Sequence, residues 1–137
     1  MGCGNCHTPR GPGGVLDISK QLSGGPQTWD TPQYRVKGSN ISQDRETGIG
    51  AWSNDEIKKS LQEGVRPNGT PLSPQMPFGF YKIMTNADID AVVAYVKSVR
   101  GIQASNFLTD FEIARYFALE NEQRELRYAL LPAARYA

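Results

Sequence analysis

The chain has 137 residues, 39% of them hydrophobic, with 14 glycines and 9 prolines, which suits one loop-rich domain with a core. Fifteen basic against fourteen acidic side chains leave a formal charge of +1, so nothing points to a nucleic acid or an anionic membrane surface as partner. No apolar run approaches the roughly 20 residues needed to span a bilayer, and no internal repeat is visible, so any functional site is present once.

In chain order, the first signal comes at once. The two cysteines and the single histidine of the whole chain stand together as Cys3-x-x-Cys6-His7. Three chemistries use C-x-x-C. A thioredoxin-like dithiol wants the pair at the head of a helix after a buried strand, and only Met1 and Gly2 precede Cys3. A structural zinc site needs four ligands, and the chain offers three Cys/His groups. A disulfide between cysteines three apart closes a very small loop. The third chemistry, covalent attachment of one haem c, fits the spacing directly. Two thioethers one helical turn apart tether the porphyrin, and the next residue, His7, presents its imidazole to the iron.

Between Gly11 and Gly50 turn residues dominate with little periodicity, predicting a loop that wraps one edge of the cofactor. Ser53-x-x-Glu56 then reads as a capping box, with Trp52 and Ile57 as its hydrophobic staple. It opens a helix through "NDEIKKSLQEG" that stops at Gly64.

The next segment, "GTPLSPQMPFGF", bears on the second axial position of the iron. Candidates are Met1, Met76, Met84, a lysine or tyrosine, or nothing. Pro71, Pro74 and Pro77 stiffen the loop around Met76, as a weak thioether ligand requires. Met84 has a structural use instead, as staple partner of Ile89 around the capping pair Thr85-x-x-Asp88. Met76 is therefore the expected ligand, and His/Met ligation fills both axial positions and raises the potential, favouring electron transfer over catalysis.

A second helix is expected from Thr85 to about Arg100, its apolar face formed by Ile89, Val92, Val93, Val96 and Val99. Thr109-x-x-Glu112, with Leu108 and Ile113 as staple, opens a third, running from Asp110 to about Leu131 and ended by Pro132. The expected division is a haem domain over 1–104 and a helical extension over 105–137.

Cys3-Gly-Asn-Cys6-His7, "SNISQDRETGIGAWSNDEI", "GVRPNGTPLSPQMPFGFY" and "DIDAVVAYVKSVRG" together resemble a monohaem class I cytochrome c. More narrowly, they resemble the cytochrome c domains of bacterial membrane-bound dehydrogenases for alcohols, aldehydes and sugar acids. The resemblance covers roughly residues 3–101. It implies an all-α fold, one haem c on Cys3 and Cys6, axial His7 and Met76, and electron delivery to a respiratory acceptor. It also places Tyr95 where the late helix packs against a first helix. Trp52 and Arg66 are candidate contacts to the haem propionates. The chain departs from the family in carrying one haem motif where the dehydrogenase subunits usually carry three. The helix before the motif is cut to two residues, and the helix after residue 108 is additional. The shortened first helix leaves the face around Val92, Tyr95 and Val96 to be covered by the 109–131 helix or by a partner subunit.

The expected partners are redox proteins, with no nucleic acid and no membrane span of its own. Haem c is attached outside the cytoplasm in bacteria, so the resemblance implies a periplasmic or otherwise extracytoplasmic location, with membrane association through a partner. No signal peptide is recognisable at Met1, so an export leader removed or left out, or a start codon set too late, is expected. The competing reading is a haem with a labile or open sixth position, acting in gas binding or as a peroxidase. Peroxidase chemistry wants a distal acid/base histidine, and the only histidine is already used.

Overall fold

The computed structural model describes residues 2–25, 28–30 and 35–104. The expected C-terminal helix, with its Asp110 start and Pro132 stop, lies outside the described residues. Among those residues the fold is helical: α1 spans Cys3–His7, α2 Asn54–Glu63, α3 Phe78–Tyr81 and α4 Asn86–Ser98.

Both long helices start where side chains satisfy their first amides. The Ser53 hydroxyl accepts from the Glu56 N–H at 3.2 Å, and the Glu56 carboxylate accepts from the Ser53 N–H at 2.7 Å, a complete capping box. Thr85 likewise accepts from the Asp88 N–H at 3.2 Å. Gly64 stops α2 in the left-handed region (φ 69°), as a C-terminal glycine does. A Cβ there would also overlap the Phe78 ring. α4 ends at Ser98, two residues short of expectation, because buried Val99 turns extended and the Gln43 amide donates to the Val96 carbonyl at 3.4 Å.

The core lies between these helices. Ile57 and Leu61 of α2 meet Ile89, Val93 and Val96 of α4, with Ile49 from the preceding loop. A Lys58–Asp90 ion pair and a Lys97 bond to the Trp52 carbonyl (2.8 Å) link the elements at the surface. No helix among the described residues is long and apolar enough to cross a membrane.

The stretch expected as plain loop between Gly11 and Gly50 has more structure. Single 3-10 turns form at Pro12–Gly14 and Ile18–Lys20, and β1 (Thr28–Asp30) pairs antiparallel with β2 (Arg35–Lys37), Trp29 opposite Val36. Three-residue strands with one apolar residue each are too short to show a period of two. Farther on, a polar network replaces regular structure. Asn40, 3% exposed, donates to the Ile102 carbonyl and the Thr47 hydroxyl, both at 2.8 Å, and accepts from the Ser42 N–H. Thr47 in turn donates to Asp44 and accepts from the Ala104 N–H. The chain after α4 is thereby tied back onto residues 40–47.

On the face expected to lie bare, Val96 is buried, Val92 half-buried and Tyr95 49% exposed. The Tyr95 hydroxyl accepts from the Gln21 amide at 2.6 Å, so the early loop reaches part of this face.

Candidate functional site

One cavity of about 800 Å³ collects the residues singled out by the sequence. Cys3, Cys6 and His7 of α1 line it, together with Arg66 and Met76. Its volume falls within the roughly 300–1,000 Å³ of cofactor-sized sites. Trp52 is not among its lining residues; it packs against the α2/α4 core, in the staple position its sequence suggested. Trp29 and Val36, the facing pair of the hairpin, form part of the wall, as do Lys37, Ser39, Leu72 and Tyr81.

α1 is a single turn and a half, so Cys3 and Cys6 lie one helical turn apart. Both are free thiols, half-buried. Burial pushes the Cys3 thiol up despite a backbone hydrogen bond. A thiol–disulfide exchange centre needs the opposite, a depressed pKa, so the dithiol reading loses support. Among the described residues no cluster of three His, Cys, Asp or Glu side chains could hold a metal ion.

His7 faces two constraints. Burial pushes its pKa down, while the Ser39 carbonyl works the other way, so the ring is neutral at neutral pH. Nδ1 lies 2.7 Å from the Ser39 carbonyl. A carbonyl only accepts, so Nδ1 carries the proton and Nε2 keeps its lone pair for a metal. The backbone of His7 is tied as well, its carbonyl accepting from the Gly24 N–H at 2.8 Å.

Met76 comes from the proline-stiffened loop. Its N–H donates to the Ser73 carbonyl (2.9 Å) and its carbonyl accepts from the Phe78 N–H (2.8 Å), which leads into α3. Its side chain touches both the cavity and the core. Met84 packs on the core and does not line the cavity. Met1 lies outside the described residues. Arg66 sits on a turn tied by Arg66 N–H to Thr70 carbonyl (2.9 Å), and its guanidinium donates to the Pro71 carbonyl at 2.8 Å. Arg66 and Lys37 are the formally charged side chains of the lining, which holds no carboxylate among the described residues. Tyr81 has its hydroxyl pKa pushed up by burial.

Sequence reasoning missed Trp29, Lys37, Ser39 and Tyr81. Ser39 acts through its backbone carbonyl and leaves no side-chain signal; α3, which carries Tyr81, is one turn long and too short to show periodicity.

Two thiols on one turn, an imidazole with its lone pair available, a thioether and an apolar cavity form a donor set that fits haem c. The fold and site together define a small helical domain whose donor set suits a tethered cofactor. The cytochrome c family model matches residues 1–100, and the chain belongs to that family. The family carries covalently attached haem c and transfers electrons. The chain is similar to the gluconate 2-dehydrogenase cytochrome c subunit of Pantoea cypripedii (34% identical over 93 residues, 68% of this chain and 19% of that protein). It is likewise similar to the fructose dehydrogenase cytochrome subunit of Gluconobacter japonicus (29% over 94 residues, 69% and 18%). A diheme cytochrome c-type protein of Cereibacter sphaeroides is 33% identical over 103 residues, 74% of this chain and 32% of that protein. The chain thus spans between 18% and 32% of the length of these three relatives.

Proposed function

We propose that the chain transfers electrons through one haem c, bound by thioethers at Cys3 and Cys6 and ligated by His7 and Met76, as a cytochrome carrier or cytochrome subunit of a respiratory dehydrogenase assembly. The observation that carries this reading is the meeting of the Cys-x-x-Cys-His turn and Met76 on one apolar cavity. When bound, the haem iron accepts and releases one electron at a time. The chain's part is to hold it. Cys3 and Cys6 anchor the ring, and His7 is oriented through Nδ1.

Among the other candidate sixth ligands of the lining, Tyr81 stays a protonated phenol at neutral pH because burial raises its pKa. Lys37 is exposed to solvent. The thioether of Met76 can ligate a metal without any deprotonation. Held by His7 and Met76 together, a haem iron would have no ligand position left for substrate or oxygen. Arg66 and Lys37 supply the positive charge that two propionates require, and Trp29 replaces Trp52 as the indole at the site.

The names of the relatives support a dehydrogenase as source of the electrons. The half-exposed Tyr95 beside half-buried Val92 supports a contact on the late helix, supplied by a partner subunit or by residues 109–131. Haem c attachment supports an extracytoplasmic location. The test is an absorption spectrum of the protein matured in a host that attaches haem c. Haem c bands, with the long-wavelength sulfur-to-iron band present in the parent and lost in Met76→Ala, are expected. Haem c bands without the sulfur feature would point to an open iron and to gas binding. A colourless protein would end the reading.

A further inference from the structure

Behind the attachment turn three strands of backbone meet. Gly25 donates its N–H to the Gly38 carbonyl at 2.9 Å, and both glycines lie against the carbonyl of Cys6. A Cβ built on either would overlap that carbonyl, and the obstacle is main chain, which cannot swing aside as a flexible side chain can. The requirement here is closeness and not dihedral freedom. The positive-φ glycines among the described residues are Gly13, Gly14, Gly24, Gly64 and Gly69, and neither Gly25 nor Gly38 is one of them. The residue after Gly38 is Ser39, whose carbonyl receives the Nδ1 proton of His7 at 2.7 Å. How near Gly38 sits to Cys6 therefore decides how near the Ser39 carbonyl sits to the imidazole.

We infer that Gly25 and Gly38 are positioning residues for the iron ligand: their seat on the Cys6 carbonyl holds the Ser39 carbonyl on His7 Nδ1 and so sets the donor strength of the imidazole. This inference rests on the haem reading above. A hydrogen bond from the second ring nitrogen raises the basicity of a ligating histidine, and such bonds are among the levers that tune a haem potential. A more basic imidazole favours the ferric state. Pushing Gly38 off Cys6 lengthens the bond, weakens the donor and raises the potential.

The test is a reversible redox titration of the haem-loaded protein and its Gly38→Ala and Gly25→Ala variants. Gly11→Ala is the control, because a Cβ there meets only the Val15 carbonyl at an ordinary 3.9 Å. The expected result for the first two is a shift of about tenfold toward ferrous at a fixed ambient potential, which is 59 mV for a one-electron couple. Gly11→Ala stays at the parent value. A purely structural role for the two glycines lowers the unfolding midpoint and leaves the potential unchanged, and that result overturns the inference while the haem reading stands. The second measurement needs no variant: in the parent holoprotein the His7 Nδ1 proton is expected to exchange slowly with solvent by NMR. Rapid exchange overturns the inference even if neither alanine variant matures. A colourless parent removes the haem reading and this inference with it.

Discussion

Leu22 donates its N–H to the hydroxyl oxygen of Thr8 at 3.1 Å, and Leu22 is the positive-φ non-glycine among the described residues, at φ 59°. Its side chain is 0% exposed, and its carbonyl accepts from the Ile41 N–H at 2.9 Å. A left-handed leucine costs about 1–2 kcal/mol and persists because packing and two hydrogen bonds hold it. Thr8 directly follows His7, so this contact ties the loop of residues 22–25 to the Cys3–His7 turn.

Thr8→Val keeps the volume and removes the acceptor, leaving a buried amide without a partner at a cost of about 1–3 kcal/mol. Thr8→Ser keeps the oxygen and loses a methyl, at about 0.5–1.5 kcal/mol. Urea unfolding of the holoprotein should therefore rank the parent first, serine second and valine last. A valine variant as stable as the serine one would show that the hydroxyl does not hold Leu22.

The two central methionines should separate cleanly. Met76 lines the cavity and Met84 packs on the core. Met76→Ala is expected to abolish the sulfur-to-iron band and lower the reduction potential, because a methionine ligand raises it. Met84→Leu, a volume-conserving core change, should leave spectrum and potential alone and cost less than about 1.5 kcal/mol. The reverse pattern would transfer the ligand role to Met84.

Asn40 holds the return of the chain after α4, so Asn40→Ala deprives Ile102, Thr47 and Ser42 of a partner at once. A loss of about 1–3 kcal/mol is expected. Hydrogen exchange locates it: the amides of Ile102 and Ala104, which bond Ser42 and Thr47, should exchange faster, with those of α2 unchanged. Uniform acceleration across α2 would mean global destabilisation instead of local release.

Acid should loosen the same region. The Thr47 amide and hydroxyl, followed by weaker contributions, hold the Asp44 carboxyl below its ordinary value. The folded pKa lies under the unfolded one, about 3.9, so the unfolded chain binds more protons. The contribution is complete above the unfolded value and disappears as pH falls through the folded one. Asp17 and Glu56 are lowered too, by Ser19 and Ser53 respectively. The unfolding midpoint should drop as pH falls below about 4, less steeply in Asp44→Asn. Identical slopes for parent and variant would remove Asp44 from the acid response.

The parts legible in the sequence are those whose signal resides in side chains at short spacing. The Cys3–Cys6–His7 turn, the Ser53/Glu56 box and the Thr85 cap each lie within five residues. Neighbouring prolines and a competing staple role distinguish Met76 from Met84, and the structure sets the first on the cavity and the second on the core. What stays hidden works through main chain or through distant partners. The Ser39 carbonyl, the Gly25–Gly38 seat and the Asn40–Ile102 bond join positions 32, 13 and 62 residues apart. Of the two indoles, Trp52 stands out in the sequence because it sits beside a recognisable cap, whereas Trp29, which lines the cavity, sits on a three-residue strand whose pairing the sequence does not announce.

His7 and Met76 stand on one cavity but at positions 7 and 76 of the chain. On the proposed ligation they become the two ends of a cross-link made through iron, closing a ring of about 70 residues. A disulfide closing such a ring removes roughly 4 kcal/mol of unfolded-chain entropy. This closure needs no covalent bond on the methionine side, and it responds to the electron. A thioether that raises the potential of the folded protein binds the ferrous iron more tightly, so by linkage the reduced chain is the harder one to unfold.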